Sequence, residues 1–418
     1  MNDDKEKLVA INAIQKKLLG KKLSYRETFA VMDEIAHEKL SDVLTTYFVA
    51  SSFKEGYSPQ ELYFFTKAMV ETGNKLKFKG IVADKHSVGG VAGTRTTMII
   101  VPIIAAAGFQ IPKISSRAIT TPAGTADVME AIASVEFTPK QITKIINEVG
   151  GCIAWNGKLG IAPADDIIIR VEEPLSFESF DKIIISVMAK KIAAGTTHLV
   201  LDIPIGKTAK IHRFSEGENV ARKFEDLAVR FGIKVICDIN ETLEPAGRGI
   251  GPILEARDVL YVLEQKTDRP LRLEAKSLRL AGKLLDLCYK EKRINKNGED
   301  EAKKILESGA ALKKFQQIVK AQGGDHKICS DSLSLADNKF DFHSHTSGKI
   351  KDINNYNLST IAKILGSPND KKAGIYLLKK LDHSVGKDEH IFTLYSEDKY
   401  RLKEAEATLK NLPIFKIE

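Results

Sequence analysis

Ile81-Val82-Ala83-Asp84-Lys85-His86-Ser87-Val88-Gly89-Gly90 opens a stretch, Ile81 to Glu130, in which one pattern occurs twice. A short apolar run leads into a loop of Gly, Ser and Thr, and then into a run with helical character. The first loop is Asp84 to Gly90, carried on through Gly93, Thr94 and Thr96; the second is Ser115-Ser116-Arg117 through Thr120, Thr121, Gly124 and Thr125. Glycine lets backbone N–H groups come close to a ligand, and the start of the next helix offers unpaired N–H donors with partial positive charge. Lys85, Arg117 and the hydroxyls add donors, so the two loops together point to one shared anion site that suits a phosphate. Either loop alone could be a plain strand-to-helix turn. Neither G-x-x-x-x-G-K-[ST] nor G-x-G-x-x-G occurs here, which leaves a Walker-type ATP site and a dinucleotide site unsupported.

The rest of the chain fits around this stretch. At 418 residues it is long enough for two or three domains, and 43% hydrophobic with 28% charged residues is a soluble globular composition. The formal charge of +8 suits anionic ligands without naming one, and it does not by itself argue for nucleic acid. The first residues are charged and polar, so no signal peptide is expected, and the most apolar run, Met98–Phe109, is too short to span a membrane. Cys152, Cys237, Cys288 and Cys329 are far apart and lack metal-ligand spacing, as expected of reduced thiols in a cytoplasmic protein. Before the glycine loops the chain reads as helical: Ser24-Tyr25-Arg26-Glu27 and Ser58-Pro59-Gln60-Glu61 are helix starts, followed by Phe29, Met32, Ile35 and Leu62, Phe65, Met69 at helical spacing. Thr138-Pro139-Lys140-Gln141 starts a further helix. After it, Leu199–Pro204 and Val235–Cys237 read as buried strands. Strands alternating with helices predict a mostly parallel sheet with ligands at its carboxyl ends.

The segments Asp84–Gly90 and Ser115–Asp127 resemble the thymidine and pyrimidine-nucleoside phosphorylase family. Within it, Ser116-Arg117-Ala118-Ile119-Thr120-Thr121 followed by Ala123–Asp127 looks like the AMP phosphorylase branch. The resemblance extends from about Leu23 to Ile417 and takes in Gly247-Arg248-Gly249-Ile250-Gly251 and Gln322-Gly323-Gly324-Asp325. It implies a helical domain over 1–74, completed by about 166–195. It also implies a phosphate-binding α/β domain over 75–165 and 196–330, and a small C-terminal α+β domain over 340–418. It further implies a homodimer, and a chain without the extra N-terminal domain of archaeal AMP phosphorylases.

By the same resemblance, Lys85, Ser87, Gly89, Gly90, Thr96, Ser115 and Thr125 hold an attacking inorganic phosphate, the co-substrate, with His86 beside them. Ser116, Arg117, Ala118, Ile119, Thr120, Thr121 and Lys210 bind nucleotide, and Arg170, Ser186 and Lys190 handle the base. Glu178 stands where the AMP branch has its proposed acid, with Asp165 and Asp166 as alternatives. No organic cofactor is implied; a monovalent cation beside Glu255 is, although Ala92 replaces a Gly that many relatives have there. The expected reaction is phosphorolysis of a nucleoside 5′-monophosphate, AMP first, to free base and ribose 1,5-bisphosphate. The alternatives are a nucleoside phosphorylase giving a pentose 1-phosphate, a phosphoribosyltransferase, and a nucleotide- or nucleic-acid-binding module without catalysis.

Overall fold

The strand Ala83–Ser87 starts at the end of the first apolar run and takes in Asp84 to Ser87, which the sequence reading assigns to the first loop, so the loop proper begins at Val88; the chain around this strand is organised by its sheet. In the computed structural model, which describes residues 2–51, 56–118, 120–172 and 179–418, it lies at the edge of a three-stranded sheet with His198–Ile205 in the centre and Lys234–Glu241 beyond. Ile111–Ser115 and Gly151–Trp155 pair in parallel next to it, and Ala83 N donates to Gln110 O at 2.8 Å. The described chain divides into two compact units: Met1–Val82 with Asn156–Leu199 and Glu218–Val235, and Ala83–Trp155 with Val200–Gly217 and Ile236–Glu418.

The first unit is helical, and its helix starts are where the sequence places them. Ser24 caps Tyr25–Ala36 and Ser58 caps Pro59–Glu71, each with the reciprocal bond from Glu27 or Glu61. Met32, Ile35, Leu62, Phe65 and Met69 are all buried. Glu61 also takes the buried Lys17 ammonium at 2.6 Å, which satisfies a charge that burial alone would leave costly.

The second unit holds the parallel strands, their helices and a C-terminal part with antiparallel strands. The apolar run after the first glycine loop becomes the helix Thr97–Ala106, buried from Thr97 through Ala105, so it is apolar all round because protein surrounds it. Among the described residues no helix is long and apolar enough to cross a membrane. From Asn338 the chain forms two antiparallel sheets. In one, Asn338–His343, His390–Ser396 and Gly374–Leu377 are joined by Gly249–Ile250; in the other, Ser384–Val385, Gly348–Ile353 and Phe415–Ile417 pair. Their core of Ile350, Leu358, Ile375, Phe392 and Leu394 also contains Ala92 and Ile250.

Gln322, 1% exposed, closes one side of the strand Gly151–Trp155. Its amide accepts from Ile153 N at 2.8 Å and donates to Ile153 O at 2.8 Å and Ser134 O at 2.7 Å, in place of a neighbouring strand. Gln322→Leu keeps the volume and leaves buried backbone groups without partners. Chemical denaturation is expected to show a loss of about 2–4 kcal/mol; a loss below about 0.5 kcal/mol would remove this role for Gln322.

Candidate active site

Lys85 is the third residue of its strand and points into the protein, only 2% exposed. Its Nζ donates to Thr96 Oγ1 at 3.0 Å and lies 3.6 Å from Asp202 Oδ2. Asp202, in the central strand, also accepts from Ser87 Oγ at 2.8 Å and from Asn240 Nδ2 at 2.8 Å, and pairs with Lys276 Nζ at 3.1 Å. Lys276 comes from the helix Leu271–Lys292 and reaches Asn240 Oδ1 at 3.1 Å as well. Burial lowers the Lys85 ammonium to about 8 against the pull of Asp202, with Lys276 and Arg95 adding repulsion. Burial works to raise Asp202, but Lys85 and Lys276 outweigh it and hold the carboxyl at about 2. At neutral pH Lys85 is therefore mostly an ammonium beside an ionised Asp202.

The glycines shape the loop above this cluster. Gly90 has φ +101°, and a Cβ there would stand 2.8 Å from the Lys210 backbone nitrogen. The loop thus lies directly against the turn that carries Lys210, which the sequence alone could not show. His86 is half-buried in the same strand, between Lys85 and Ser87. Ser87 has one proton, and Asp202 holds it; a phosphate at Ser87 would have to draw that proton away.

Arg95 ties the first loop to the second. Its guanidinium donates to Glu255 Oε2 at 2.8 Å, to Thr125 Oγ1 at 3.1 Å and to Ala123 O at 2.7 Å. By accepting from Arg95, the Thr125 hydroxyl keeps its own proton for another acceptor. Burial raises the Glu255 carboxyl, against the effect of Arg95. Asp127 shapes the second loop by accepting from Ala118 N at 2.6 Å and Gly124 N at 2.8 Å. Arg117, read from sequence as an anion donor, faces carboxylates: Glu130 Oε1 at 2.6 Å, Asp127 at 3.5 Å and Glu136 at 3.4 Å. Its guanidinium stacks on the Trp155 ring at 4.6 Å. Hydrogen bonding to Arg117 is the main reason the Glu130 carboxyl drops to about 2, with Lys371 helping. Ser115 Oγ donates to Ser116 O at 3.2 Å and Thr121 Oγ1 to Ala123 O at 3.1 Å, while Thr120 is exposed. Ile119 lies outside the described residues.

The helical unit brings a second set together. Asp165 accepts from Ser186 Oγ at 2.8 Å and pairs with Lys190 Nζ at 2.5 Å. Asp166 accepts from Asn156 Nδ2 at 3.0 Å. Its side chain reaches solvent, yet packing around the carboxyl raises its pKa, with Asp165 adding to the rise and Lys190 opposing it. Arg170 is not among these bonds. It lies exposed and pairs with Asp42 at 2.8 Å, as its place after three isoleucines on an amphipathic helix allows. Glu178 is outside the described residues.

Sequence reading missed Asp202, Asn240, Lys276 and Arg95. Asp202 carried a signal, a carboxylate within the apolar run Leu199–Ile203; Lys276 and Asn240 carried none.

Comparison with known proteins places these features. Residues 11–73 match the family described as "Glycosyl transferase family, helical bundle domain", 79–233 match "Glycosyl transferase family, a/b domain", and 349–414 match "Pyrimidine nucleoside phosphorylase C-terminal domain". The chain is 42% identical to AMP phosphorylase 1 of Archaeoglobus fulgidus over 95% of its own length and 78% of that protein. It is 41% identical to the AMP phosphorylase of Methanocaldococcus jannaschii over 99% of its length and 82% of that protein. The fold is similar to the crystal structure of anthranilate phosphoribosyltransferase from Thermus thermophilus, with TM-score 0.62 and 20% identity over 75% of this chain and 99% of that one. On the relatives' identity across nearly its whole length, the chain belongs to the thymidine and pyrimidine-nucleoside phosphorylase family, in its AMP phosphorylase branch.

Proposed function

We propose that this enzyme cleaves AMP with inorganic phosphate, giving adenine and ribose 1,5-bisphosphate. The observation that carries the reading is the buried Lys85–Asp202–Lys276 cluster under the glycine loop, which has more positive than negative charge and no need of a protein nucleophile. Phosphate is itself the nucleophile. One of its oxygens forms a bond to the anomeric carbon as the bond from carbon to base nitrogen breaks, and the base leaves with that electron pair and takes up a proton. Lys85, Ser87, Gly89, Gly90, Thr96, Ser115 and Thr125 act on the phosphate, which must stay positioned while charge develops on the sugar. His86 orients the sugar or the base beside them. The Ser116–Thr121 loop and Lys210 act on the nucleotide.

On the family resemblance, the proton and the contacts to the base come from the set around Asp165. A general acid needs a raised pKa, and Asp166 has one; Glu178 is the other carboxyl to test. Ser186 and Lys190 act on the base; Arg170, exposed beside Asp42, would have to leave that carboxylate to join them. A monovalent cation beside Glu255 is a secondary reading, because Arg95 already gives that carboxylate its counter-charge. The working enzyme is taken to be a cytoplasmic homodimer.

A nucleotide carries a second dianion at its 5′ end, and Lys210 follows the strand that holds Asp202. Lys210→Ala is expected to raise the KM for AMP about tenfold to a hundredfold, the worth of one charge-assisted hydrogen bond, while any adenosine turnover changes little. The readout is free base released from AMP, adenosine, UMP and uridine with phosphate. A wild-type preference for uridine or thymidine would replace this reading with a nucleoside phosphorylase.

The Lys85 pKa sets a pH signature. Phosphate binds the ammonium form, which is half lost at about 8 in the unliganded protein. Above that pH, phosphate binding takes up a proton, so the phosphate KM should climb by up to about tenfold per pH unit. Asp202 supports the charged form, so Asp202→Asn should move the onset to lower pH, and Lys85→Met should abolish it along with tight phosphate binding. A phosphate KM flat from pH 7 to 10 in the wild type would remove Lys85 from the phosphate site.

A further inference from the structure

The C-terminal part of the second unit touches the first glycine loop twice. The direct contact is Ala92: it sits between Gly90 and Gly93, is fully buried, and belongs to the same apolar core as Ile350, Leu358, Ile375 and Leu394. The indirect contact runs through the segment Glu244–Ile250. On one face of that segment, Ala246 N donates to Thr94 Oγ1 at 3.1 Å and Gly247 N donates to Gly93 O at 2.8 Å. A Cβ on Gly247 would stand 2.8 Å from that same Gly93 carbonyl oxygen, so the two backbones are in close contact. On the other face, Gly249 and Ile250 pair with Tyr376 and Ile375, and Leu377 N donates to Arg248 O at 2.9 Å.

Lys380 fastens this segment. It is 8% exposed, and its Nζ donates to Gly247 O at 2.8 Å and to Pro245 O. It lies 3.6 Å from Glu244, whose carboxylate also accepts from Leu381 N at 2.9 Å and pairs with Arg272. Asp258 holds the far end by accepting from Arg248 N at 2.6 Å and Gly249 N at 2.7 Å. Nothing in the phosphate chemistry uses Lys380; its buried ammonium is held by two carbonyls of the segment and by Glu244, which together offset the cost of burying it. Burial lowers its pKa to about 8 despite Glu244 and Asp258, which marks how far it is withdrawn from water.

We propose that Lys380 is a positioning residue for phosphate: through the segment Glu244–Ile250 it sets the conformation of the glycine loop that receives the anion. The C-terminal domain is thereby part of the phosphate site's support, although none of its residues is placed on the ligand. The inference rests on the glycine loop being the phosphate site.

The test is a double-mutant cycle on the phosphate KM with Lys380→Met and Thr94→Val. The first removes the fastening and keeps the aliphatic stem; the second removes the hydroxyl that receives Ala246 N at the other face. Lys380→Met is expected to raise the phosphate KM roughly tenfold, and Thr94→Val about threefold, with the AMP KM changed by less than about twofold. Because both act through one segment, the double variant should stay near the larger single effect, short of the roughly thirtyfold product. A multiplicative double variant, an equal rise in both KM values, or a folded Lys380→Met with an unchanged phosphate KM would overturn the proposal. If Lys380→Met does not fold, Thr94→Val alone decides: a selective rise in the phosphate KM supports the proposal and a normal value overturns it. Lys85→Ala separates the two readings. If it leaves the phosphate KM normal, the site assignment itself falls; if it raises the KM while the cycle fails, only the role of Lys380 falls.

Discussion

The buried ion pair of Lys85 with Asp202 constrains everything around the glycine loop. An ammonium withdrawn from water is expensive, and removing one partner of such a pair typically costs about 3–5 kcal/mol because the other is left uncompensated. Asp202 therefore has to stand where Lys85 needs it, which fixes the register of the central strand against Ala83–Ser87; Val88 N donates to Asp202 O at 2.9 Å in the same place. Ser87, Asn240 and Lys276 complete the coordination of the carboxylate, so first loop, third strand and helix are all positioned by one group. One carboxylate does not neutralise two ammonium groups. If phosphate binds here as proposed, it meets charge and donors already ordered, and little reorganisation remains to be done at binding.

Arg95 extends the same logic to the second loop. Its partner Glu255 is 1% exposed, so the guanidinium is held firmly, and its remaining donors reach Ala123 O and Thr125 Oγ1. Asp127 then closes the loop on itself through Ala118 N and Gly124 N. The second loop is in this way shaped by a guanidinium and a carboxylate that bond its backbone and the buried Thr125 hydroxyl, while Thr120 is exposed. Charge in the interior sets the geometry, and the uncharged donors supply the contacts that a ligand can exchange.

What could be read from sequence was what is local. The caps at Ser24, Ser58 and Thr138 each need only residues three apart, and all three form. The glycine loops announce themselves because the backbone conformation at Gly89, Gly90 and Gly93 is one that other residues rarely adopt. The charge partners were hidden, since Lys85 meets Asp202 and Arg95 meets Glu255 across more than a hundred residues. Arg117 shows the cost of that: its composition suits an anion site, but Glu130, Asp127 and the Trp155 face decide where its charge goes. Arg170 followed a family pattern, yet its own helix face puts it in solvent beside Asp42.

The close approach of Gly90 to the Lys210 backbone brings the loop proposed for phosphate against the turn proposed for the nucleotide. The turn Gly206–Ile211 is short and self-bonded, with Gly206 N on Ile211 O at 3.0 Å and Ala209 N on Gly206 O at 3.1 Å. Asn355, from the C-terminal domain, donates to Thr208 Oγ1 at 2.7 Å on the same turn. The turn begins where the strand carrying Asp202 ends. The glycine loop and the turn leave no room for a side chain at Gly90, whose Cβ would stand 2.8 Å from the Lys210 backbone nitrogen. If both bind anions as proposed, surfaces packed this closely keep a near-constant separation. A fixed separation is what distinguishes a substrate with a phosphate at its far end from one without, because a second dianion adds binding energy only if it is met without distortion. Selectivity for a nucleotide over a nucleoside would then need both the Lys210 charge and the spacing that the packing of loop against turn gives it.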